Sequence, residues 1–176
     1  MNGADRIKIF VFDVDGTLTP GTLFFGADGE AYKEFHVRDG MALGILHRLG
    51  YITGFITGRN SDIVRVRAHE LKVDFLLMGV TNKEMALKTI LHQYHAQFEE
   101  VAFMGDDLND LPLLKKVGVS GCPSDACEEN IAAVDFVSRY PGGAGAAREF
   151  VEGILKSQDK WKDVLELFNT DGPVNQ

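Results

Sequence analysis

Short apolar runs rich in β-branched residues alternate along the chain with segments of helical periodicity. This pattern is typical of parallel strands joined by crossover helices on both faces of a sheet. We predict strands at Ile7–Asp13, Ile52–Thr57, Val73–Leu77, Val101–Gly105, Val117–Ser120 and Asp135–Val137. We predict helices at Gly40–Leu49, Ser61–Leu71, Lys83–His95, Asp107–Lys116, Ala147–Leu155 and Lys160–Phe168. The expected fold class is α/β with a central parallel sheet.

One segment, residues 18–35, breaks this alternation. It is too short for a crossover unit and contains two turn signals, Pro20-Gly21 and Asp28-Gly29, so we predict a small β-hairpin at about residues 17–36. The hairpin has four aromatic residues with little local core to enter, Phe24, Phe25, Tyr32 and Phe35. They either fold back on the sheet or pack on another subunit. Because an exposed apolar edge strand invites aggregation, the sequence favours a homo-oligomer.

The size of the chain is that of one domain. It has 176 residues, 45% of them hydrophobic, which is enough for a single core. We expect one domain over residues 1–157, in which the glycine-rich turn Pro141–Gly145 follows the last strand. A C-terminal helix and a flexible tail are expected over residues 158–176.

Charge and cysteine content narrow the possible partners and location. The formal net charge is −8, which argues against nucleic-acid binding because a duplex-binding face gathers Lys and Arg. Neither a membrane-spanning run nor a secretory signal is recognised, so no membrane association is expected. Cys122 and Cys127 are too few for a disulfide scaffold and have no zinc-binding partners. We therefore predict reduced cysteines and a cytoplasmic protein.

Two acidic clusters follow predicted strands. Asp13 and Asp15 leave the first strand, and Asp106, Asp107 and Asp110 leave a later one, at the strand ends where open α/β sheets bind ligands. Either cluster alone could be a helix cap or a solvated loop. Several carboxylates brought together need a cation, and oxygen ligands select a hard ion such as Mg²⁺. The two clusters together therefore predict a magnesium site.

Two weaker features lie between these clusters. Thr57-Gly58-Arg59 ends another predicted strand, where a hydroxyl and a close backbone approach would suit phosphate oxygens ahead of a helix. Lys83 stands at a predicted helix start, which is unfavourable for a cation unless it faces a phosphate or carboxylates. Taken alone, Thr57-Gly58 is better interpreted as an ordinary capped turn and Lys83 as a solvated lysine.

The ordered set of Asp13-x-Asp15-Gly16-Thr17, Thr57-Gly58, Lys83 and Gly105-Asp106-Asp107-x-x-Asp110 resembles the four motifs of the haloacid dehalogenase superfamily of phosphatases. The resemblance spans most of the chain and implies a Rossmann-like three-layer sandwich. It also implies a phosphoric monoester hydrolase. Only the hairpin and one helix fit between the first two motifs, which leaves no room for a cap domain.

This resemblance implies catalytic roles that phosphate ester hydrolysis also requires. Asp13 would attack phosphorus and form an aspartyl phosphate, and Asp15 would protonate the leaving oxygen and then activate water. Thr57 and Gly58 would bind phosphate oxygens. Lys83 would neutralise the transferring group and contact the substrate.

The resemblance also implies how the cofactor, Mg²⁺, is held. Its ligands would be Asp13, the backbone carbonyl of Asp15, and Asp106. Asp107 and Asp110 would support the ion without binding it directly.

A capless chain of this length resembles the phosphatases of 3-deoxy-D-manno-octulosonate 8-phosphate, tetramers in which hairpins and tails of neighbouring subunits close the site. Phe35–Gly40 looks like the substrate segment of that family, and Pro141–Glu149 looks like its C-terminal glycine motif. The resemblance implies a homotetramer, formed through the hairpin, that hydrolyses a small anionic sugar phosphate in lipopolysaccharide precursor synthesis. The substrate segment would contribute contacts from His36, Arg38, Asp39 and Gly40.

A second substrate remains open. A related phosphatase acts on a nine-carbon keto-deoxy sugar acid 9-phosphate, and we expect Glu there at the position of Arg59, with a Lys in the following helix. Here Arg59 is followed by Glu70, so the order of charges is reversed. This favours the eight-carbon substrate, with Arg59 and Arg67 meeting it or ordering the pocket.

Two functions of other classes also remain open. A phospho-aspartate signalling receiver uses Asp, Thr and Lys on a parallel sheet, but it lacks both Asp15-Gly16-Thr17 after the nucleophile and a late acidic cluster. The lifetime of the phosphorylated aspartate separates the two, since a switch persists for minutes and an enzyme turns over quickly. The other alternative is an inactive structural subunit, for which packing gives no reason to keep so many unpaired carboxylates.

Overall fold

The computed structural model describes residues 1–170. The strands are β1 (Ile9–Phe12), β2 (Phe24–Gly26), β3 (Gly29–Tyr32), β4 (Ile52–Ile56), β5 (Phe75–Leu77), β6 (Val101–Met104), β7 (Val119–Cys122) and β8 (Phe136–Val137). Six of them form one sheet in the order β5-β4-β1-β6-β7-β8, and every neighbouring pair in it is parallel. The other two, β2 and β3, pair antiparallel as the predicted hairpin.

The helices cover both faces of this sheet. They are α1 (Val37–Arg48), α2 (Asp62–Glu70), α3 (Lys83–Gln93), α4 (Leu111–Leu114), α5 (Glu128–Ala133), α6 (Ala146–Ser157) and α7 (Trp161–Thr170). Phe10 and Phe12 of β1 face a core that includes residues of α1 and α6, whereas Ile9 and Val11 face one that includes residues of α3 and α4. The side-chain alternation of a strand buried on both faces thus produces the three layers. The predicted fold class is confirmed.

Between β1 and β4 the described chain contains only the hairpin and α1. A cap domain is therefore not inserted there, as predicted. The stacked rings of Phe24 and Tyr32, 4.1 Å apart, hold the two hairpin strands together. Within residues 1–170, no helix has both the length and the apolar character that crossing a bilayer requires.

Several predicted element boundaries were wrong. The helix predicted at Asp107–Lys116 is reduced to the four residues of α4, because residues 107–110 form turns, with the Asp110 side chain accepting the N–H groups of Asp106 and Asp107. β7 begins two residues later than predicted because Gly118 turns against the Glu99 carbonyl, where a Cβ atom would lie 2.1 Å from that oxygen. The pattern also missed α5 and placed the start of α1 three residues too late.

The segment after α6 packs on the rest of the chain. Gln158 donates from Nε2 to the carbonyl oxygen of Ala4 at 2.6 Å, and Val164 of α7 is buried in the same core as α6. The part of the predicted flexible tail that covers residues 171–176 lies outside the described residues.

Asp39 connects the first part of the chain to α6. Its buried carboxylate accepts the backbone N–H of Gly145 at 3.1 Å and that of Arg148 at 2.8 Å. These groups lie at the start of α6, where backbone donors have no partner within the helix. Asp39, predicted as a sugar contact, therefore has both carboxylate oxygens engaged as a helix cap.

Replacing Asp39 by Asn is expected to lower the free energy of unfolding by about 1–3 kcal/mol, because an amide has one acceptor oxygen for two buried backbone donors. Urea unfolding of the two proteins measures this difference. The matched control is Asp62→Asn in the first turn of α2, where the Asp62 side chain is 96% exposed, and a change within about 0.5 kcal/mol is expected. Equal unfolding midpoints for all three proteins would contradict the capping role.

Candidate active site

The first acidic loop begins where β1 ends. The backbone N–H of Asp13 donates to the Met104 carbonyl at 2.9 Å, which continues the parallel pairing of β1 with β6 by one residue. The chain then turns, with the N–H groups of Leu18 and Thr19 both donating to the Val14 carbonyl, at 2.9 and 3.1 Å. The Asp13 carboxylate is thereby buried at the carboxyl edge of the sheet.

The second acidic loop leaves β6 directly beside the first. The Thr17 hydroxyl donates to Oδ1 of Asp106 at 3.1 Å, and Gly16 has a φ of +95°. A Cβ atom on Gly16 would lie 2.0 Å from Oδ2 of Asp106. Only glycine lets the two loops approach this closely, since it tolerates the positive φ and leaves room for the carboxylate.

Helix α5, which the sequence pattern missed, fixes the outer side of this second loop. The Cys127 N–H at its start donates to the Asp106 carbonyl at 2.9 Å. The Asn130 amide donates to the Asp107 carbonyl, also at 2.9 Å. Asp107 itself is exposed, and its carboxylate accepts the N–H of Leu108. Its side chain therefore stays on the rim of the site.

Three carboxylates converge between the two loops. Asp13, Asp106 and Asp110 each offer an oxygen, and these atoms all lie within 4.8 Å of one another. Asp110, predicted to stand behind the metal ligands, belongs to this group, although its own oxygens already accept hydrogen bonds from Lys83 and from the N–H groups of Asp106 and Asp107.

Lys83, the first residue of α3, lies inside this cluster. Its buried ammonium contacts Asp13 and is 2.5 Å from Oδ1 of Asp110. Burial acts to lower the pKa of Lys83, but the charges of Asp13 and Asp110 outweigh it and raise that pKa. The lysine that the sequence left between two interpretations therefore faces carboxylates, and it remains charged.

One ammonium does not balance three carboxylates. Burial raises the pKa of Asp13 well above its usual range, and the neighbouring Asp110 adds to this effect while Lys83 opposes it. Burial and the charge of Asp110 also raise the pKa of Asp106, to about 6. This excess of negative charge, together with a donor set made only of oxygen, fits a hard divalent cation.

Thr57 and Gly58 lie at the neighbouring strand end, where β4 stops. The Thr57 hydroxyl is buried and accepts the Arg59 N–H at 3.2 Å, while its backbone N–H donates to the Leu77 carbonyl at 2.9 Å. Gly58 is exposed. The predicted hydroxyl and glycine pair thus lies at the carboxyl edge of the same sheet as the acidic loops, immediately ahead of α2.

Two residues of the hairpin were missed by the sequence analysis. Lys33 contacts the Asp15 carboxylate and lies 2.8 Å from Oε1 of Glu30, and Glu30 accepts a hydrogen bond from the Ser61 hydroxyl. The polar face of the hairpin therefore packs on the site of its own chain. The sequence signal that could have found them is the position of the hairpin, which follows the Asp13–Thr17 loop directly in the chain.

The residues predicted to contact the sugar do not all lie together. His36, Gly40 and Arg67 line one pocket together with Phe35 and Leu71. There the Arg67 guanidinium lies over the Phe35 ring, 5.6 Å from its centroid, and a Cβ atom on Gly40 would lie 2.5 Å from Arg67.

Arg38 points elsewhere. It lines a different surface groove with Arg139 and Arg148, so the structure does not bring it to the pocket of His36. Arg59 lies over the exposed Phe25 ring of the hairpin, 5.7 Å from the centroid.

Several of the predicted site residues have buried polar atoms without hydrogen-bond partners. Within the described residues they include Oδ2 of Asp15, Nδ1 of His36, Nε of Arg59 and Nε of Arg67. Buried polar atoms are rarely left unpaired in folded proteins. A polar ligand that presents both donors and acceptors would satisfy such atoms.

A parallel sheet with acidic loops at the ends of its central strands, a buried lysine and no inserted cap defines a class of phosphate-transferring hydrolase. The family model for haloacid dehalogenase-like hydrolases matches residues 76–150.

Individual relatives, found by sequence and by structure, identify the family more narrowly. The chain is 37% identical over 160 residues to a 3-deoxy-D-manno-octulosonate 8-phosphate phosphatase of Escherichia coli strain B / BL21-DE3, covering 91% of this chain and 85% of that protein. The crystal structure of the Moraxella catarrhalis phosphatase of that name, in complex with magnesium, phosphate and KDO, has a TM-score of 0.91 at 35% identity and covers 94% and 95% of the two chains. The cobalt-bound phosphatase of Haemophilus influenzae has a TM-score of 0.88 at 37% identity, with 96% of both chains covered. The chain therefore belongs to the haloacid dehalogenase-like hydrolases, within the family of these phosphatases, and it is a phosphoric monoester hydrolase.

Asp106→Asn is expected to stabilise the metal-free protein at pH 7.5 by about 1–3 kcal/mol, because it removes a charge held in an unfavourable environment. The pKa of Asp106 is about 6 in the folded protein, above its value in the unfolded chain, so folding takes up protons between about pH 4 and 6. The free energy of unfolding of the parent is therefore higher below this pH range and falls as the pH rises through it. Denaturant unfolding at pH 7.5 and 5.5 measures both effects.

Magnesium chloride should raise the melting temperature of the parent at pH 7.5 and have little effect on Asp106→Asn, since ligand binding stabilises only a protein that binds the ion. The matched control is Asp107→Asn, one residue along the same loop but exposed, which should behave as the parent does. The same magnesium shift in Asp106→Asn as in the parent would remove Asp106 from the metal site.

Proposed function

We propose that this chain hydrolyses 3-deoxy-D-manno-octulosonate 8-phosphate to the free sugar acid and phosphate, a step of lipopolysaccharide precursor synthesis. The observation that carries the proposal is the buried Asp13 carboxylate at the end of the central strand, in contact with Lys83 and clustered with Asp106. The relatives named above support the choice of substrate.

In the first half of the reaction, a carboxylate oxygen of Asp13 attacks phosphorus. The bond from phosphorus to the sugar oxygen breaks, and its electron pair stays on that oxygen, which takes a proton from Asp15. Lys83 contacts Oδ1 of Asp13, so its ammonium stands beside the charge of the transferring group. The products of this half are the free sugar acid and an aspartyl phosphate.

In the second half, the ionised Asp15 carboxylate takes a proton from a water molecule, and the water oxygen attacks phosphorus. The bond from phosphorus to Asp13 breaks, and its electron pair returns to the Asp13 carboxylate. Inorganic phosphate leaves, and Asp15 is again protonated for the next cycle. Thr57 and Gly58, at the neighbouring strand end, bind the phosphoryl oxygens through a hydroxyl and backbone N–H groups.

Asp13, Asp106 and the backbone carbonyl of Asp15 would hold Mg²⁺ in this site. When bound, the ion supplies positive charge that stabilises the phosphoryl oxygens. The fit is supported by the excess of buried carboxylate over buried ammonium and by the all-oxygen donor set. Asp110 holds the loop and Lys83 in place, and Asp107 remains at its rim.

The sugar acid is proposed to occupy the space between the hairpin and the helices that flank it. The unpartnered nitrogens of His36, Arg59 and Arg67 suit a ligand that carries a carboxylate and several hydroxyl groups. Because Gly40 has no side chain, the Arg67 guanidinium lies close against it. Asp39 instead caps α6, and Arg38 lines another groove.

A homotetramer formed through the hairpin is part of the proposal. It is supported by three exposed apolar side chains of the hairpin region, Leu23 at 40%, Phe25 at 63% and Tyr32 at 49% exposure. Exposed apolar side chains of this kind are typical of interfaces. The polar face of the hairpin packs on its own site, so the apolar face is the one available to a second copy.

A cytoplasmic location completes the proposal. Both cysteines are free, and Cys122 is buried, where burial raises the pKa of its thiol to about 12. Unpaired, unreactive cysteines are typical of proteins in a reducing compartment.

The direct test is a side-by-side assay of the eight-carbon and nine-carbon sugar acid phosphates with magnesium. We expect higher kcat/KM for the eight-carbon ester, loss of turnover in EDTA, and loss of turnover in Asp13→Asn with an unchanged fold and oligomer. Higher kcat/KM for the nine-carbon ester would replace the proposed substrate. Activity of Asp13→Asn near that of the parent would reject Asp13 as the nucleophile.

Arg59→Glu should lower kcat/KM for the octulosonate phosphate by about 10- to 100-fold, as expected for losing a charged contact to an anion. The loss with a small generic ester such as phenyl phosphate should be much smaller, because that ester lacks a carboxylate. The matched control is Arg65→Glu on the same helix, whose side chain is 65% exposed. Equal losses on both esters would exclude Arg59 from substrate selection.

A further inference from the structure

A second buried lysine, in addition to Lys83, contacts the first acidic loop. Lys33 immediately follows β3 of the hairpin, and its side chain is only 2% exposed. Its ammonium contacts Oδ1 of Asp15 and lies 2.8 Å from Glu30. Lys83 faces the nucleophile, whereas Lys33 faces the proton donor.

Lys33 is held by its own partners. Glu30 sits between Lys33 and Ser61, accepting the hydroxyl hydrogen of Ser61, and the Ser61 oxygen in turn accepts the Val64 N–H at 3.3 Å. Ser61 is the N-cap of α2. A continuous chain of polar contacts therefore runs from Asp15 through the hairpin to the helix that follows Thr57 and Gly58.

The two oxygens of Asp15 are not equivalent. Oδ1 contacts Lys33, while Oδ2 is buried and has no hydrogen-bond partner. Rotation of the carboxyl group exchanges the two oxygens unless one of them is held. The contact with Lys33 opposes that rotation and leaves Oδ2 as the oxygen that is free to meet the leaving group.

We propose that Lys33 is a positioning residue for the proton donor, which keeps Oδ2 of Asp15 directed at the oxygen of the departing alcohol. This inference rests on the proposed function of Asp15. Lys33 belongs to the hairpin, so the orientation of the proton donor depends on the hairpin being docked on the loop. A hairpin that leaves its own chain disconnects the donor without disturbing Asp13, Lys83 or Asp106.

If Lys33 positions the proton donor, the effect of replacing Lys33 on kcat/KM depends on the leaving group of the substrate. An alkyl alcohol such as a sugar departs only with a proton, whereas p-nitrophenolate is a weak base that departs without one. In Lys33→Met, kcat/KM should fall at least about tenfold for alkyl phosphates and by less than about threefold for p-nitrophenyl phosphate. The parameter kcat/KM is chosen because it reports phosphoryl transfer and not the later hydrolysis of the aspartyl phosphate.

Two further single variants, one double variant and a control complete the experiment. Lys33→Arg, which keeps a cation, should recover part of the loss on alkyl esters. Asp15→Asn should show the same selective loss, and combining it with Lys33→Met should add little, because both act on one step. The matched control is Lys8→Met, whose side chain is 71% exposed and pairs with Glu100, and which should behave as the parent does.

The possible results separate the inference from the proposed function. Equal losses on alkyl and aryl phosphates, or a loss confined to KM, would overturn the positioning role and make Lys33 a substrate contact or a structural residue. A crystal structure of Lys33→Met in which Asp15 keeps its orientation would also overturn it. An inactive parent on every phosphate ester would reject the proposed function itself, and the positioning role would be rejected with it.

Discussion

The crowding of buried carboxylates at the carboxyl edge of the sheet is the constraint on which the rest of the structure depends. Asp13, Asp106 and Asp110 repel one another, and Lys83 compensates for only part of their charge. The protein keeps the carboxylates together in spite of this repulsion because the two loops leave adjacent parallel strands, β1 and β6. The pairing of these strands fixes the spacing between the loops. A site strained in this way is suited to bind a cation.

Glycines let the backbones around this cluster come close together. A side chain at Gly105 would collide with Asp110, and one at Gly142 would place its Cβ atom 1.8 Å from the Gly16 carbonyl oxygen. The C-terminal glycine motif therefore packs directly on the first acidic loop. The Gly143 N–H donates to the Thr17 carbonyl at 3.1 Å, which fixes this contact.

The hairpin packs on the site of its own chain. Lys33 contacts Asp15, and Glu30 accepts a hydrogen bond from Ser61 at the start of α2, while Leu23, Phe25 and Tyr32 stay exposed. These contacts within one chain join the hairpin to the first acidic loop and to the N-cap of α2.

The sequence by itself determined the fold class, the strand ends at which Asp13, Thr57 and Asp106 lie, and the family, because hydrophobic periodicity and motif order are local properties. It did not determine that Asp39 caps α6, that Asp110 joins the carboxylate cluster, or that Lys33 reaches Asp15 while Glu30 reaches Ser61. These contacts join residues far apart in the chain or depend on how the hairpin folds back. Only the tertiary structure decides them, because the direction of a loop or hairpin is set by what it packs against.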